Sequence, residues 1–264
     1  MRPDGGSRPQ VRSYDRCCRP AQGRRRRRAG RVTLPFLLSV PHAGLTVPPE
    51  AEPYCALTRR EIAEDGDEGA AEIYLDLEPL VAAFHTTDIA RAIVDMNRAE
   101  DDRRRDGVVK THTCWNVPVY REPLSDDVIE RLIACYHRPY HRRLRELAAE
   151  RPVRLAIDCH TMAAKGPPVG PDAGCERPWI CLGYGDGTCP RAWIEAFRDC
   201  FVERIGARVT INEPFSGGYI TRRHAAEMPW LQLEMSRAPF LADGEKGRLV
   251  RTVLTDLAGR ISTP

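Results

Sequence analysis

Two short apolar runs in this 264-residue chain each end in a histidine: Leu37-Leu38-Ser39-Val40-Pro41-His42-Ala43-Gly44 and Val153-Arg154-Leu155-Ala156-Ile157-Asp158-Cys159-His160-Thr161-Met162. Runs of this length and composition read as buried strands. Pro41 has no N–H to give a ladder, so the first strand stops there and His42 stands at its carboxyl end. That end of an open α/β sheet is where ligands bind. Gly44 lets the backbone turn tightly beside His42. If the two strands run parallel, their imidazoles share one rim. A catalytic zinc site takes about three protein ligands and keeps a position for water. A carboxylate is the natural third ligand, and the acidic cluster Glu64-Asp65-Gly66-Asp67-Glu68 lies between the histidines in sequence. The structural alternative is a strand-end histidine bonded to nearby backbone, and the repetition of the design weighs against it.

Other stretches carry chemistry of their own. Trp230-Leu231-Gln232-Leu233-Glu234-Met235-Ser236-Arg237 alternates, which puts Gln232, Glu234 and Ser236 on one strand face. Either that face is solvated, or Glu234 is buried and its pKa rises into the range useful for a general base. The stretch from Ala90 to Arg98 reads as a strand with polar groups at its end. Arg91, Asn97 and Arg98 suit a substrate carboxylate, because guanidinium and carboxylate match in paired hydrogen bonds. The alternative is an ion pair between Asp95 and one of the arginines. Gly217 and Gly218 allow a close backbone approach to a ligand or form a plain hairpin turn. Cys159 points to the opposite face from His160 in an alternating strand. His137 and His141, four apart in Tyr136-His137-Arg138-Pro139-Tyr140-His141, could share a helix face; one is expected to line a pocket and the other to pack in the helix.

The elements that hold these residues follow from periodicity and caps. Thr58 and Glu61 form a capping box. Asp67 opens a helix over 68–75, and a carboxylate in that place is often only a cap. Ser125 caps an amphipathic helix over 126–150, kinked at Pro139. The Gly- and Pro-rich stretch 165–177 is a loop placed as a rim or lid. A strand over 179–183, a helix over 192–205, a strand over 207–211 and a helix over 244–261 complete the chain.

Whole-chain properties narrow the classes. Residues 1–31 carry the run Arg24 to Arg28 and few apolar residues, so they read as a disordered basic tail before a single domain over 32–264. The net charge of +3 is small. A nucleic-acid-binding protein using this arginine tail is a further alternative, but a disordered arginine run attracts nucleic acid only non-specifically, so no specific nucleic-acid partner is expected. No secretory signal and no membrane-spanning stretch is apparent, which favours a cytoplasmic location with no membrane partner. Ten cysteines without a CxxC pair exclude a zinc ribbon and read as reduced thiols. The GxGxxG fingerprint and the P-loop are absent.

Taken in order, seven pieces resemble the N-formylglutamate amidohydrolase family: Ser39 to Gly44, Asp67 with Tyr74, Asp95-Met96-Asn97-Arg98, Tyr136 to His141, Asp158 to Met162, Asn212 to Ile220, and Leu231 to Arg237. The resemblance implies a three-layer α/β/α fold with a mixed central sheet, like the zinc carboxypeptidases and aspartoacylases. It implies one zinc ion held by His42, Asp67 and His160, with Glu234 as general base. Arg91, Asn97, Arg98, Gly217, Gly218 and Tyr219 would contact substrate, a small N-acyl amino acid. The simplest substrate is N-formyl-L-glutamate, cleaved to formate and L-glutamate; another N-acyl amino acid or a small peptide is the alternative. The chain departs from the family at Ala43 and Thr161, where serine is common, and at Glu68-Gly69, where a Trp-His pair is common. The second departure makes Glu68 a rival to Asp67 as ligand.

Overall fold

The computed structural model describes residues 33–169, 172–206 and 208–261; the basic tail over 1–31 lies outside the described residues. Six strands form one sheet: β1 (Leu34–Val40), β2 (Val81–Thr86), β3 (Leu155–Met162), β4 (Ile180–Gly183), β5 (Val209–Ile211) and β6 (Trp230–Ser236). Their spatial order is β2-β1-β3-β6-β4-β5. β2, β1, β3 and β6 run parallel, and β4 pairs antiparallel with β6. The sheet is therefore mixed, with its reversal on the far side of β6.

Strand parity divides the chain into two cores. Phe36, Leu38, Val40, Leu155, Ile157, Cys159, Leu231, Leu233 and Met235 face one side. There they meet α2 (Ala70–Tyr74), α5 (Arg191–Ile205) and α7 (Asp243–Arg260) through Ile73, Phe197, Phe201, Val253 and Leu257. The opposite side is covered by α1 (Arg59–Asp65), α3 (Asp126–Leu132), α4 (Arg138–Glu150) and α6 (Tyr219–His224), whose Ile62, Leu132, Leu144 and Ile220 pack on Leu37, Ala156 and Trp230. Burying such a side chain contributes roughly 1.5–3 kcal/mol, so both layers are strongly held to the sheet. Thr58 and Glu61 do form the capping box of α1. The arrangement is the expected α/β/α sandwich.

Three expectations are corrected. Residues 90–98 form turns, not a strand: the amides of Ile93 and Val94 bond back to Ala90 O, and Asp95 N bonds to Val108 O. Ala90, Ile93, Val94 and Met96 bury themselves in the second core without any strand partner, and a short apolar run does not distinguish these outcomes. The helix expected over 126–150 contains a π turn over Ile133–His137, in which Arg138 N bonds to Ile133 O. Pro139, which cannot donate to a carbonyl four residues back, sits in the first turn of α4, directly after the widened turn. The helix expected over 68–75 starts at Ala70 and passes into a 3₁₀ turn over Leu75–Leu80.

Gly44 is needed for space. A Cβ there would stand 2.3 Å from the Asp88 carbonyl carbon. Gly44→Ala must push apart the segments after β1 and β2, so we expect a loss of about 2 kcal/mol, read as a lower urea midpoint with an unchanged slope.

Candidate active site

The parity that sends Leu38, Ile157 and Leu233 to the first core sends Ser39, Asp158, His160, Gln232 and Glu234 to the second face. Register aligns Ser39 with Asp158, Asp158 with Gln232, and His160 with Glu234. These polar groups therefore collect at the carboxyl ends of three adjacent strands. His42 follows β1, and its carbonyl accepts a hydrogen bond from Asp67 N at 3.2 Å. That bond seats the turn between α1 and α2 beside the sheet. All of these side chains are buried.

The two histidines are oriented alike. His42 Nε2 lies 2.8 Å from Asp95 Oδ1, and His160 Nε2 lies 2.8 Å from Asp158 Oδ2. With Nε2 donating to its carboxylate, each ring in its neutral form keeps a lone pair on Nδ1. Both Nδ1 atoms face Asp67 Oδ2, at 3.5 Å from His42 and 2.9 Å from His160. His42 Nδ1 is buried without a hydrogen-bond partner. Lone pairs this close to a carboxylate oxygen repel unless a proton or a metal ion joins them. Burial opposes charge on His160, but Asp158 and Asp67 outweigh it and hold its pKa well above the ordinary histidine range. Burial likewise pushes the Asp67 carboxyl up, and His42 and His160 bring it well below the ordinary range. The three donor atoms lie within 4.8 Å of one another. Two imidazoles backed by carboxylates plus one carboxylate form a donor set suited to zinc.

Glu234 adjoins this cluster. Burial raises its pKa, against the pull of His160, while Gln232 Nε2 donates to its Oε1. Far from a solvated edge, Glu234 lies on an interior strand. Behind His42, Asp95 Oδ2 also meets Arg91 Nε at 3.2 Å and Lys110 Nζ at 3.7 Å, and Lys110 Nζ bonds to Asp65 Oδ2 at 3.0 Å. Arg91 Nη1 donates to Asp65 O. The expected Asp95–arginine pair is thus present, as part of a buried network.

A cavity of about 660 Å³ opens over the cluster. Its lining includes His42, Asp67, His160 and Glu234, together with Arg91, Asn97, Arg98, Gly217, Gly218 and Tyr219. Eight Arg and Lys side chains line it against six Asp and Glu. Pro167 and Val169 bring the 165–177 loop to its rim. Gly218 packs on Asn97; a Cβ there would stand 2.2 Å from Asn97 Nδ2. Glu68 is displaced from the donor cluster: its carboxylate is 62 % exposed and faces Arg237 Nη1 at 3.9 Å. Asp67, not Glu68, lies beside the two histidines, and its carboxylate accepts from Thr161 N instead of capping a helix. Cys159 lies in the first core, away from the site.

The expectation for His137 and His141 fails. Neither lines the cavity; both are buried and donate to main-chain carbonyls. Sequence reading also missed Lys110, Asp65 and Tyr140 as supports. The signals were faint: a lone lysine in an apolar stretch, and a tyrosine at helical spacing from the core residues of α4.

The α/β sandwich thus carries a buried His-Asp-His cluster that could hold a metal ion, with a buried glutamate beside it at parallel strand ends. A family model for N-formylglutamate amidohydrolase matches residues 34–241, and the chain belongs to that family. It is 26 % identical over 227 residues to an N-formylglutamate deformylase from Pseudomonas putida, covering 80 % of this chain and 84 % of the relative. It is 27 % identical over 250 residues to an N-formylglutamate deformylase from Pseudomonas aeruginosa, covering 86 % and 92 %. Among solved structures, the fold matches an N-formylglutamate amidohydrolase from Ralstonia eutropha with a TM-score of 0.71 at 19 % identity, covering 88 % of this chain and 93 % of that one. A gene product of Agrobacterium tumefaciens matches with a TM-score of 0.66 at 19 % identity, covering 85 % and 88 %.

The Lys110 network yields a stability prediction. Lys110→Met strands the Asp65 carboxylate in a dry site and is expected to cost about 3 kcal/mol in urea unfolding; adding Asp65→Asn should return part of that loss. Burial raises the Asp65 pKa, but Lys110 and Arg91 outweigh it, so its folded value lies below the ordinary range. The stability it contributes is present above that range and lost as pH falls through the folded value. Without Lys110, acid unfolding should begin at higher pH.

Proposed function

We propose that this chain is a zinc-dependent amidohydrolase that cleaves N-formyl-L-glutamate to formate and L-glutamate. The observation that carries the reading is the pair of carboxylate-backed histidines whose Nδ1 atoms converge on Asp67 beside Glu234. Membership in the N-formylglutamate amidohydrolase family and the names of the two Pseudomonas relatives support the substrate.

His42, Asp67 and His160 would hold the ion. The chemistry such an ion supplies is polarisation of the acyl oxygen and acidification of water. Glu234 takes one proton from the attacking water and returns it to the nitrogen as the C–N bond breaks. Its raised pKa suits a group that must hold that proton between the two events. Asn97, Arg98 and the Gly217-Gly218-Tyr219 segment line the cavity where the amino-acid part lies, and the excess of cations there favours an anionic substrate. Arg91 reaches the same cavity with its Nε and Nη1 already tied to Asp95 and Asp65, so it offers substrate only the remaining nitrogen. Buried thiols such as Cys159, Cys181 and Cys200 serve as apolar core groups, a use that fits the reducing cytoplasm.

The test is metal content measured alongside formate release from N-formyl-L-glutamate. His42→Ala and His160→Ala should lose both. Glu234→Gln should keep the metal and lose about 10²–10⁴-fold in kcat. Zinc without formate release would redirect the reading to other N-acyl amino acids. Well-folded protein that takes up no zinc would refute the mechanism.

The tail offers a separate check. Deletion of residues 1–31 should leave hydrolysis intact; loss of activity in the shortened chain would contradict a catalytic unit confined to 32–264.

A further inference from the structure

The motif Tyr136-His137-Arg138-Pro139-Tyr140-His141 has no part in the proposed reaction, yet three of its side chains reach the site's supports. Tyr140 Oη lies 2.9 Å from Ser39 Oγ, and Ser39 Oγ donates to Asp158 Oδ1 at 2.9 Å. Ser39 has one proton and spends it on Asp158, so the Tyr140 hydroxyl must be the donor to Ser39. The other oxygen of Asp158 accepts from His160 Nε2. A directed chain therefore runs from Tyr140 through Ser39 and Asp158 to His160, and every member is buried. Burial keeps the Tyr140 phenol protonated, well above its ordinary pKa.

The two histidines act on a second support. His141 Nε2 donates to Met96 O at 3.0 Å, and His137 Nε2 donates to Arg98 O at 2.8 Å. These carbonyls flank Asn97. Residues 95–98 touch the site on three sides: Asp95 bonds to His42, Asn97 Nδ2 lies 3.2 Å from His160 Nε2, and Asn97 Oδ1 accepts from Ile220 N. The segment has no strand neighbour, so its buried carbonyls need donors from elsewhere. His141 is neutral, its pKa pushed down to about 2 by burial and the neighbouring histidines. Its Nδ1 lies 2.9 Å from His224 Nε2, whose own Nδ1 faces Glu227 Oε2 at 2.8 Å.

We propose that the His137–Tyr140–His141 face is the positioning element of the site: Tyr140 fixes the metal-facing orientation of His160 through Ser39 and Asp158, while His141 and His137 hold residues 95–98 against both histidines. The Tyr140 arm rests on the reading of His160 as a metal ligand; the histidine arm does not.

Two variants test it. Tyr140→Phe removes one hydroxyl and no packing. It should weaken zinc binding about 10-fold, measured by chelator competition, since supports behind a ligand typically govern metal affinity on this scale. His141→Leu should speed amide hydrogen exchange at Asn97 in the metal-free protein, and His141→Gln, which restores a donor near the Nε2 position, should slow it again. Unchanged zinc affinity in Tyr140→Phe overturns the first arm. Unchanged Asn97 exchange in His141→Leu, or no recovery in His141→Gln, overturns the second. If the wild-type chain binds no zinc, the hydrolase reading and the first arm fall together, and the exchange result alone decides the second.

Discussion

Buried carboxylate charge is the constraint on which this structure turns. Asp65, Asp67, Asp95, Asp158 and Glu234 all lie out of water at one end of the sheet. Isolated carboxylates in such a place are very costly. The chain answers with cations and donors placed to match: Lys110 and Arg91 against Asp65 and Asp95, Ser39 against Asp158, and two imidazoles between the carboxylates. Asp67 is met by both imidazoles, and His42 Nδ1 is left buried there without a hydrogen-bond partner. Function and stability therefore draw on the same electrostatics, and the site cannot be altered at one member without stressing the rest.

The departures from the family pattern fall where the geometry accommodates them. Gly69 adopts a left-handed backbone, φ 81°, and a Cβ there would come within 2.8 Å of Asp243 Oδ2. Glycine follows from that turn. Glu68 faces Arg237 at the rim and leaves the donor cluster untouched. Thr161 keeps the hydroxyl that serine would bring and donates it to Glu68 O. Each difference adjusts the turn that carries Asp67, not the donors themselves.

What was legible in the sequence was what local pattern controls. The strands ending in His42 and His160 and the alternation around Glu234 are written in residue types at period two, and Thr58 with Glu61 marks a helix start unaided. Residues 90–98 were misread because apolar content signals burial, and burial is reached there through turns. Helical spacing gives the shared face of His137 and His141 but not what it meets, so the expectation that one of them lines a pocket and the other packs in the helix could not be checked from the sequence. Lys110 left only the faint signal of a lone lysine in an apolar stretch: its partners Asp65 and Asp95 lie on other segments, and only the folded chain brings the three together.

The π turn over Ile133–His137 has a consequence for how this helix pair can change over time. One residue of an α-helix advances about 100° around the axis, and a π turn absorbs one residue beyond the regular count. The extra residue is thereby taken up inside the turn without rotating α4 against α3. Deleting a single residue there would close the turn into regular α-helix and leave Tyr140 and His141 aimed at the sheet, whereas the same deletion elsewhere in α3 would turn the residues before it by about 100° against α4, so the tolerance of this helix to single deletions should be highest over Ile133–His137.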